Sequence, residues 1–499
     1  MPAENIYTLT VKPGIQRDVT TFSSPYWTDG SWCRFYSGLP RKIGGYSSIF
    51  NSNTVPRGTY VVPDSPNFNV YIGDSDSLNY VTIDQDRHVL NAPVDRTPVL
   101  FNSNANNLWS FDTMFSTVDD GSILIAHAAP NLFSIDSNVE APIYFGDSFS
   151  NSALVSTGHS VSGGIVVLHP YLFMFGNNGE ISWSNANDPT TIMDSARITG
   201  RKIIAGCPTR GGNSSPAGLF WSLDSVIRCT QVGTDDVEFA FDTVSSASSI
   251  LSSKCVIEYD GVYYWAGVDR FLMYNGVVQE LSNEISLNFF FNNLNYDQRQ
   301  KVWATKETRF GEIWWHFPMG NSTECNHAIV YNIRENCWYD TPVSRSSGYF
   351  EQTFSYPIWT DNVLNNNNEY PVWVHEVGTD KNENGTLTAI DSYIKTCPIS
   401  WCGTGPTGQP AQTDAWIYLY RLEPDFAQSG NMTLQVSGRK YANSPEEFKS
   451  PETFSNQTTK LDIKVQYRQM MLKFRSNEVG GSFQMGRVLV VMREGDHRQ

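Results

Sequence analysis

Short runs of aromatic, β-branched and other apolar residues alternate with turn dipeptides along most of the chain. Asp120-Gly121, Asn178-Gly179, Asp260-Gly261 and Asn275-Gly276 are hairpin signals, because a two-residue type I′ turn needs positive φ at both central positions. The clearest unit starts at Ile257-Glu258-Tyr259, turns at Asp260-Gly261 and returns as Val262-Tyr263-Tyr264-Trp265. It continues through Phe271-Leu272-Met273-Tyr274 and turns again at Asn275-Gly276 into Val277-Val278. Four antiparallel strands in about 25 residues are the size of one β-propeller blade. Comparable units cover residues 57–95, 107–148, 163–195, 201–240 and 302–341, with strands such as Tyr171-Leu172-Phe173-Met174-Phe175 and Glu312-Ile313-Trp314-Trp315-His316. The pattern predicts an irregular propeller of about six blades, whose repeat does not pass as WD40 or kelch.

The periodicity departs from this in two places. Ser282 as a cap, followed by Ile285, Leu287, Phe290, Phe291 and Leu294 on one stripe, predicts a helix between two blades. In the last hundred residues the strands lengthen. Trp416, Tyr418, Tyr420 and Leu422 alternate with Ile417, Leu419 and Arg421, and Leu461, Ile463, Val465 and Tyr467 alternate with polar residues. Half-buried antiparallel strands of this kind suit a sandwich. The chain is thus divided into a strand-rich arm (1–50) packing on the body, a propeller with loop insertions (51–390) and a C-terminal antiparallel β-sandwich (391–499).

Composition supports a large folded core. Hydrophobic residues make up 40% and aromatics 13% of 499 residues, which excludes global disorder. Charged residues are only 17%, and Asn, Ser and Thr fill the polar positions, a balance suited to surfaces that meet other protein. The net charge of −16 has the wrong sign for gripping nucleic acid, which needs a basic face to displace counterions. Met1-Pro2-Ala3-Glu4-Asn5 lacks the basic and apolar stretches of a signal peptide. No apolar run approaches the roughly 20 residues of a membrane helix. The eight cysteines are scattered without a CxxC pair, so buried free thiols are the expectation. Sequons at Asn213, Asn321 and Asn384 carry little weight in a chain so rich in Asn, Ser and Thr.

The familiar catalytic motifs are absent from the sequence. His375-Glu376 does not extend to HExxH, and no G-x-S-x-G elbow, dinucleotide fingerprint or P-loop occurs. Asp74-Ser75-Asp76 opens like a calcium loop, but Asn79 stands at the sixth position and no Glu closes it, so a solvated turn is expected. The reading is a non-enzyme with no catalytic, metal or cofactor residues and with its partner and channel contacts unknown. A propeller that binds or hydrolyses carbohydrate is the rival, since scattered Trp and Tyr could stack on sugars and fifty-one acidic residues guarantee some carboxylate pairs. The absence of Asp-box repeats weighs against a sialidase-like enzyme.

Several passages run in order along the chain: Pro13-Gly14-Ile15-Gln16-Arg17-Asp18; Ser24-Pro25-Tyr26-Trp27-Thr28-Asp29-Gly30; Trp32-Cys33-Arg34-Phe35; Pro40-Arg41-Lys42-Ile43-Gly44-Gly45-Tyr46. Trp183-Ser184-Asn185 with Asn187-Asp188-Pro189-Thr190, the Tyr259–Gly276 meander and Trp373-Val374-His375-Glu376-x-Gly378 follow. Leu422-Glu423-Pro424-Asp425-Phe426, Arg468-Gln469-Met470 and Phe483-Gln484-Met485-Gly486 end the set. Together they resemble the nozzle family of short-tailed bacteriophages, also called packaged-DNA stabilisation or tail hub proteins. The resemblance implies a structural virion protein, assembled in the host cytoplasm into a ring, a hexamer, below the portal. An adaptor ring would bind above it, and tail fibres or tip proteins are possible neighbours. DNA would pass through the channel without sequence-specific binding, and loops such as the Asn-rich segment 362–369 would close the bore until ejection.

Overall fold

The computed structural model describes residues 5–20, 24–129, 139–147, 152–209, 216–234, 237–349, 356–404, 410–412, 415–441 and 444–495. Among them, six consecutive four-stranded antiparallel meanders follow one another. Blade 1 holds Gly58–Asp64, Asn67–Gly73, Leu78–Ile83 and Val94–Asp95; blade 2 runs from Leu108–Ser116 to Val155–Val161; blade 3 from Gly164–Leu168 to Asp188–Arg197. Blades 4, 5 and 6 run from Ile203–Pro208 to Val237–Ser245, from Val256–Tyr259 to Val278–Glu280, and from Trp303–Glu307 to Cys337–Pro342. Each overlaps a unit expected from the turn-punctuated pattern, although the last strand of blade 2, Val155–Val161, lies beyond the unit expected at 107–148.

A seventh blade closes the ring. Ser347–Tyr349, Ile358–Thr360 and Tyr370–His375 are its first three strands, and Tyr46–Ser52 supplies the fourth by pairing antiparallel with Tyr370–His375. The innermost strand of this blade packs beside that of blade 1. Thr59 Oγ1 and Ser347 Oγ are 2.8 Å apart across that seam, and Ser347 Oγ lies 2.7 Å from Thr360 Oγ1. The fold is an all-β propeller.

The aromatic residues that end many strands fill the wedges between blades. Trp109 of blade 2 lies against Gly58 and Gly73 of blade 1, where a Cβ on either glycine would come within 2.5 Å of it. Trp221 of blade 4 meets Trp265 of blade 5 edge-on at 5.6 Å. Among the described residues twelve tryptophans are buried, Trp27 and Trp32 of them in the core of the terminal sheets. At about 150–250 Å² each, such side chains dominate the burial that holds the blades together. The Asp260-Gly261 turn has positive φ at both residues (50° and 80°), the I′ geometry expected. At Asn275-Gly276 only Gly276 is positive, at 112°.

The N-terminal fifty residues are woven into the C-terminal sheets. Asn5–Thr8 pairs with Leu489–Glu494, beside Ile417–Glu423 and Leu461–Tyr467. Asp29–Ser31 joins Ser392–Lys395, Gln469–Ser476 and Met432–Arg439. Cys33–Tyr36 and Leu39–Lys42 extend a sheet with Ser482–Met485 and Phe426–Ser429. The core beneath these sheets is continuous with Trp303, Trp314, Tyr339 and Trp359 of blades 6 and 7.

The helix covers Leu287–Asn293, later than the Ser282 start expected from the sequence. Asp18, from the N-terminal arm, caps it by accepting from the amides of Asn288 (2.8 Å) and Phe289 (2.7 Å). A cap 270 residues away leaves no local signature. Residues before it form a turn in which Asn283 Oδ1 accepts from the Ser286 amide. The solvated turn expected at Asp74-Ser75-Asp76 is also corrected. Asp74 is not solvated but 2% exposed, and it accepts from the amides of Asp76 and Ser77 and from the Ser52 hydroxyl.

Candidate functional site: the axial cavity and the terminal junction

The inner strands of all seven blades converge on a cavity of about 290 Å³ along the propeller axis. Blade by blade its wall includes Thr59, Asp112, Val166, Cys207, Lys254, Trp303 and Ser347, with Arg57, Lys301 and Gln300 at its margin. The carboxylate of Asp112 accepts from the amides of Thr113 and Val167, each at 2.8 Å, and so ties blade 2 to blade 3. Glu324 pairs twice with Arg57 (2.7 and 2.8 Å) and once with Lys301 (2.8 Å). This ion pair joins the entrance of blade 1 to blade 6. Burial pushes the Lys254 amine down to about 8 and the Cys207 thiol up to about 12.

A second concentration of charge lies where the propeller meets the terminal sheets. The Arg34 guanidinium is 1% exposed and lies 2.8 Å from Glu312 and 2.6 Å from Glu376. Its plane sits 3.7 Å from the Phe310 ring centroid. Glu312 also accepts from the Tyr339 hydroxyl and the Trp314 indole. Burial holds Glu312 above the usual carboxylate range, and Glu307 beside it is pushed up to about 8. Arg17 bridges Asp340 (2.8 Å) and Asp29 (3.1 Å), again linking arm to blade 6. Arg345 donates to His375 at 3.1 Å and lies 3.2 Å from Asp361, which also accepts from Trp373. Burial and the nearby Arg345 charge keep His375 and His316 well below the ordinary histidine value.

The chemistry of these groups is mostly spent on holding the structure. Among the described residues the cavity wall carries a single carboxylate, Asp112, and two backbone amides donate to it. Two-carboxylate hydrolysis needs an acid and a base free to face a glycosidic bond. Among the described residues no group of three His, Cys, Asp or Glu is placed to hold a metal ion. Seven cysteines are free thiols there, and Cys402 has a side chain outside the described residues. Among the described residues no helix is long and apolar enough to cross a membrane.

The sequence offered no site residues, and the structure explains why. Asp112, Cys207, Lys254 and Ser347 stand on four different blades and meet only when the ring closes. The Asn-rich segment 362–369 forms the exposed turn before Tyr370–His375, where Asn365 accepts from the amides of Asn367 and Glu369.

No protein-family model matches the sequence, and no curated protein matches it. Among solved structures, the chain is similar to the WD40 β-propeller domain of Doa1, at 9% identity and a TM-score of 0.40 over 66% of this chain and 97% of that one. It is similar to BamB from Moraxella catarrhalis at 12% identity and a TM-score of 0.35, covering 74% and 97%. An exo-β-1,3-galactanase from Phanerochaete chrysosporium aligns at 9% identity and a TM-score of 0.28, covering 90% and 100%. Likeness this remote carries no functional argument, and the propeller assignment rests on the seven closed sheets themselves.

Proposed function

We propose that this chain is a non-enzymatic structural protein of a short-tailed phage particle, a nozzle subunit that assembles into a ring below an adaptor, retains packaged DNA and lets it pass on ejection. The observation that carries the reading is that the family-like passages, far apart in sequence, meet in the fold. Arg34 pairs with Glu376, and the Gly44 Cα leaves room for that glutamate where a Cβ would lie 2.5 Å from it. The Gly45 amide donates to the Gly378 carbonyl, and Tyr46 stacks on His375 at 5.0 Å. Phe426 faces Met485 across a strand pair, and the Gly486 amide donates to the Asp425 carbonyl. Residues that fix one framework are what a structural family would hold in common.

Two further features support an assembly role. Val155 on the outer strand of blade 2 and Ile192 and Met193 on that of blade 3 are exposed apolar side chains, a surface of the kind subunits cover. The rival carbohydrate reading loses most of its tryptophan platforms, since twelve tryptophans are buried between blades or under the sheets, while Tyr36, Tyr296 and Tyr441 stay exposed. Deletion of the gene tests the proposal. Particles lacking the protein are expected to complete packaging and then leak DNA, and negative-stain images of the purified protein with adaptor are expected to show stacked rings. Full DNA retention without it would remove the sealing role. Glycan hydrolysis abolished by one carboxylate substitution would replace the reading with the rival.

A further inference from the structure

Among the described residues, the axial cavity holds one charge without a partner. Lys254 precedes the inner strand of blade 5, its carbonyl accepting from the Ala304 amide, and its side chain is partly buried. Of the other charged residues on the wall, Arg57 and Lys301 share Glu324, and Asp112 is held by backbone amides. Among the described residues Lys254 has no acidic or hydrogen-bonding side-chain partner. Ser110, Ser253 and Gln300 line the same cavity, and their side chains likewise make no hydrogen bond within the described chain. An ammonium, two hydroxyls and an amide are therefore presented to a common space without internal partners. An unpaired ammonium away from bulk water is costly to the folded state, and an apolar residue of the same length would fill the position more cheaply.

We propose that the axial cavity is a binding site for a small oxyanion, a sulfate, phosphate or carboxylate group, with Lys254 as its counter-ion and Ser110, Ser253 and Gln300 as hydrogen-bond donors. The volume of about 290 Å³ sets the scale at a small ligand or one acidic group of a larger one. The positive wall stands out in a chain of net charge −16, and low-dielectric walls concentrate its field on an entering anion. The inference is independent of the nozzle reading, since it concerns the axis of one propeller and not a channel through a ring.

Burial lowers the Lys254 pKa to about 8, which supplies a titration that distinguishes this site from any other basic patch. Sulfate keeps its charge from pH 7 to 9, while the protonated fraction of an amine with a pKa near 8 falls about tenfold over that span. Isothermal titration of the full-length protein with sulfate, and separately with acetate, is the test. At least one is expected to bind saturably at about millimolar concentration or better. Sulfate tighter than acetate identifies tetrahedral oxyanions as the class, and the reverse order identifies carboxylates. The binding should weaken about tenfold between pH 7 and 9, and Lys254→Met should abolish it without lowering the melting temperature. Saturable binding of neither anion to the wild-type protein would overturn the proposal. So would affinity that is unchanged in Lys254→Met, or that is constant from pH 7 to 9 in the wild-type protein.

Discussion

Glu307 is 3% exposed; its Oε1 accepts from the Arg309 amide at 3.0 Å, while Oε2 has no partner. Burial, and then the charge of Glu376, push its pKa from 4.5 up to about 8. A carboxyl whose folded pKa lies above its unfolded value holds its proton more tightly in the folded state. Its contribution is therefore fully present below about pH 4.5 and is lost as pH rises through 8. Glu307→Gln is expected to match the wild type at pH 4 and to exceed it at pH 9 by a few kcal/mol, read from denaturation at both pH values. His316 has the opposite sign. It stacks on Trp303 at 4.1 Å with both ring nitrogens unpartnered, and burial holds its pKa well below 6.5. Its stabilising contribution is present above about pH 6.5 and is lost as pH falls, because the unfolded chain takes up the proton first. His316→Phe is expected to retain the stacking and to lose less melting temperature than the wild type between pH 7 and 5. An equal loss would place the acid sensitivity elsewhere.

At the level of elements, blades 1 to 6 were legible because each is local: strands, turn residues and wedge aromatics lie within one short stretch. Blade 5 shows this best, with every strand from Val256–Tyr259 to Val278–Glu280 anticipated by its turns. Blade 7 was not legible, since Tyr46–Ser52 reads as part of an arm and its partner Tyr370–His375 lies over 300 residues on. Asn51 Nδ2 donating to Glu369, 318 positions away, marks the join. The Asp18 cap was hidden for the same reason. Pairing of this strand completes the ring, so deleting residues 1–52 removes it along with four strands of the terminal sheets. The truncated chain is expected to expose the edge of Tyr370–His375 and to aggregate. Size-exclusion chromatography checks this; a soluble monomer with an unchanged melting temperature would show that the arm is dispensable.

For the whole molecule, the net charge sets what affinity for DNA is expected. At −16 the free chain is expected to bind duplex DNA weakly, because each tight phosphate contact requires a cation that displaces counterions. Most of the arginines with buried partners are engaged, as Arg17, Arg34, Arg57 and Arg345 show. Under the proposed function, weak contact suits a passage through which DNA slides. Fluorescence anisotropy with a labelled duplex at moderate ionic strength measures it, and tight, salt-sensitive binding would defeat the sliding argument. The axial residues escaped the sequence for a whole-molecule reason. Lys254 and Asp112 carry no local motif, and only ring closure makes them neighbours of one cavity.

The strand that completes blade 7 is synthesised before the six blades that separate it from its partner. At about 5–20 residues per second, a ribosome needs roughly 15–65 s to travel from residue 52 to residue 375. Throughout that interval Tyr46–Ser52 has no partner from its own chain, while six blades are made behind it. The nascent protein must therefore carry an open arc with two unsatisfied edges until Tyr370–His375 emerges. Chains stalled before residue 370 are expected to be digested rapidly by added protease, and those stalled once the Tyr370–His375 strand has cleared the exit tunnel to acquire resistance in one step. Resistance gained blade by blade would mean that the arc is stable without its closure.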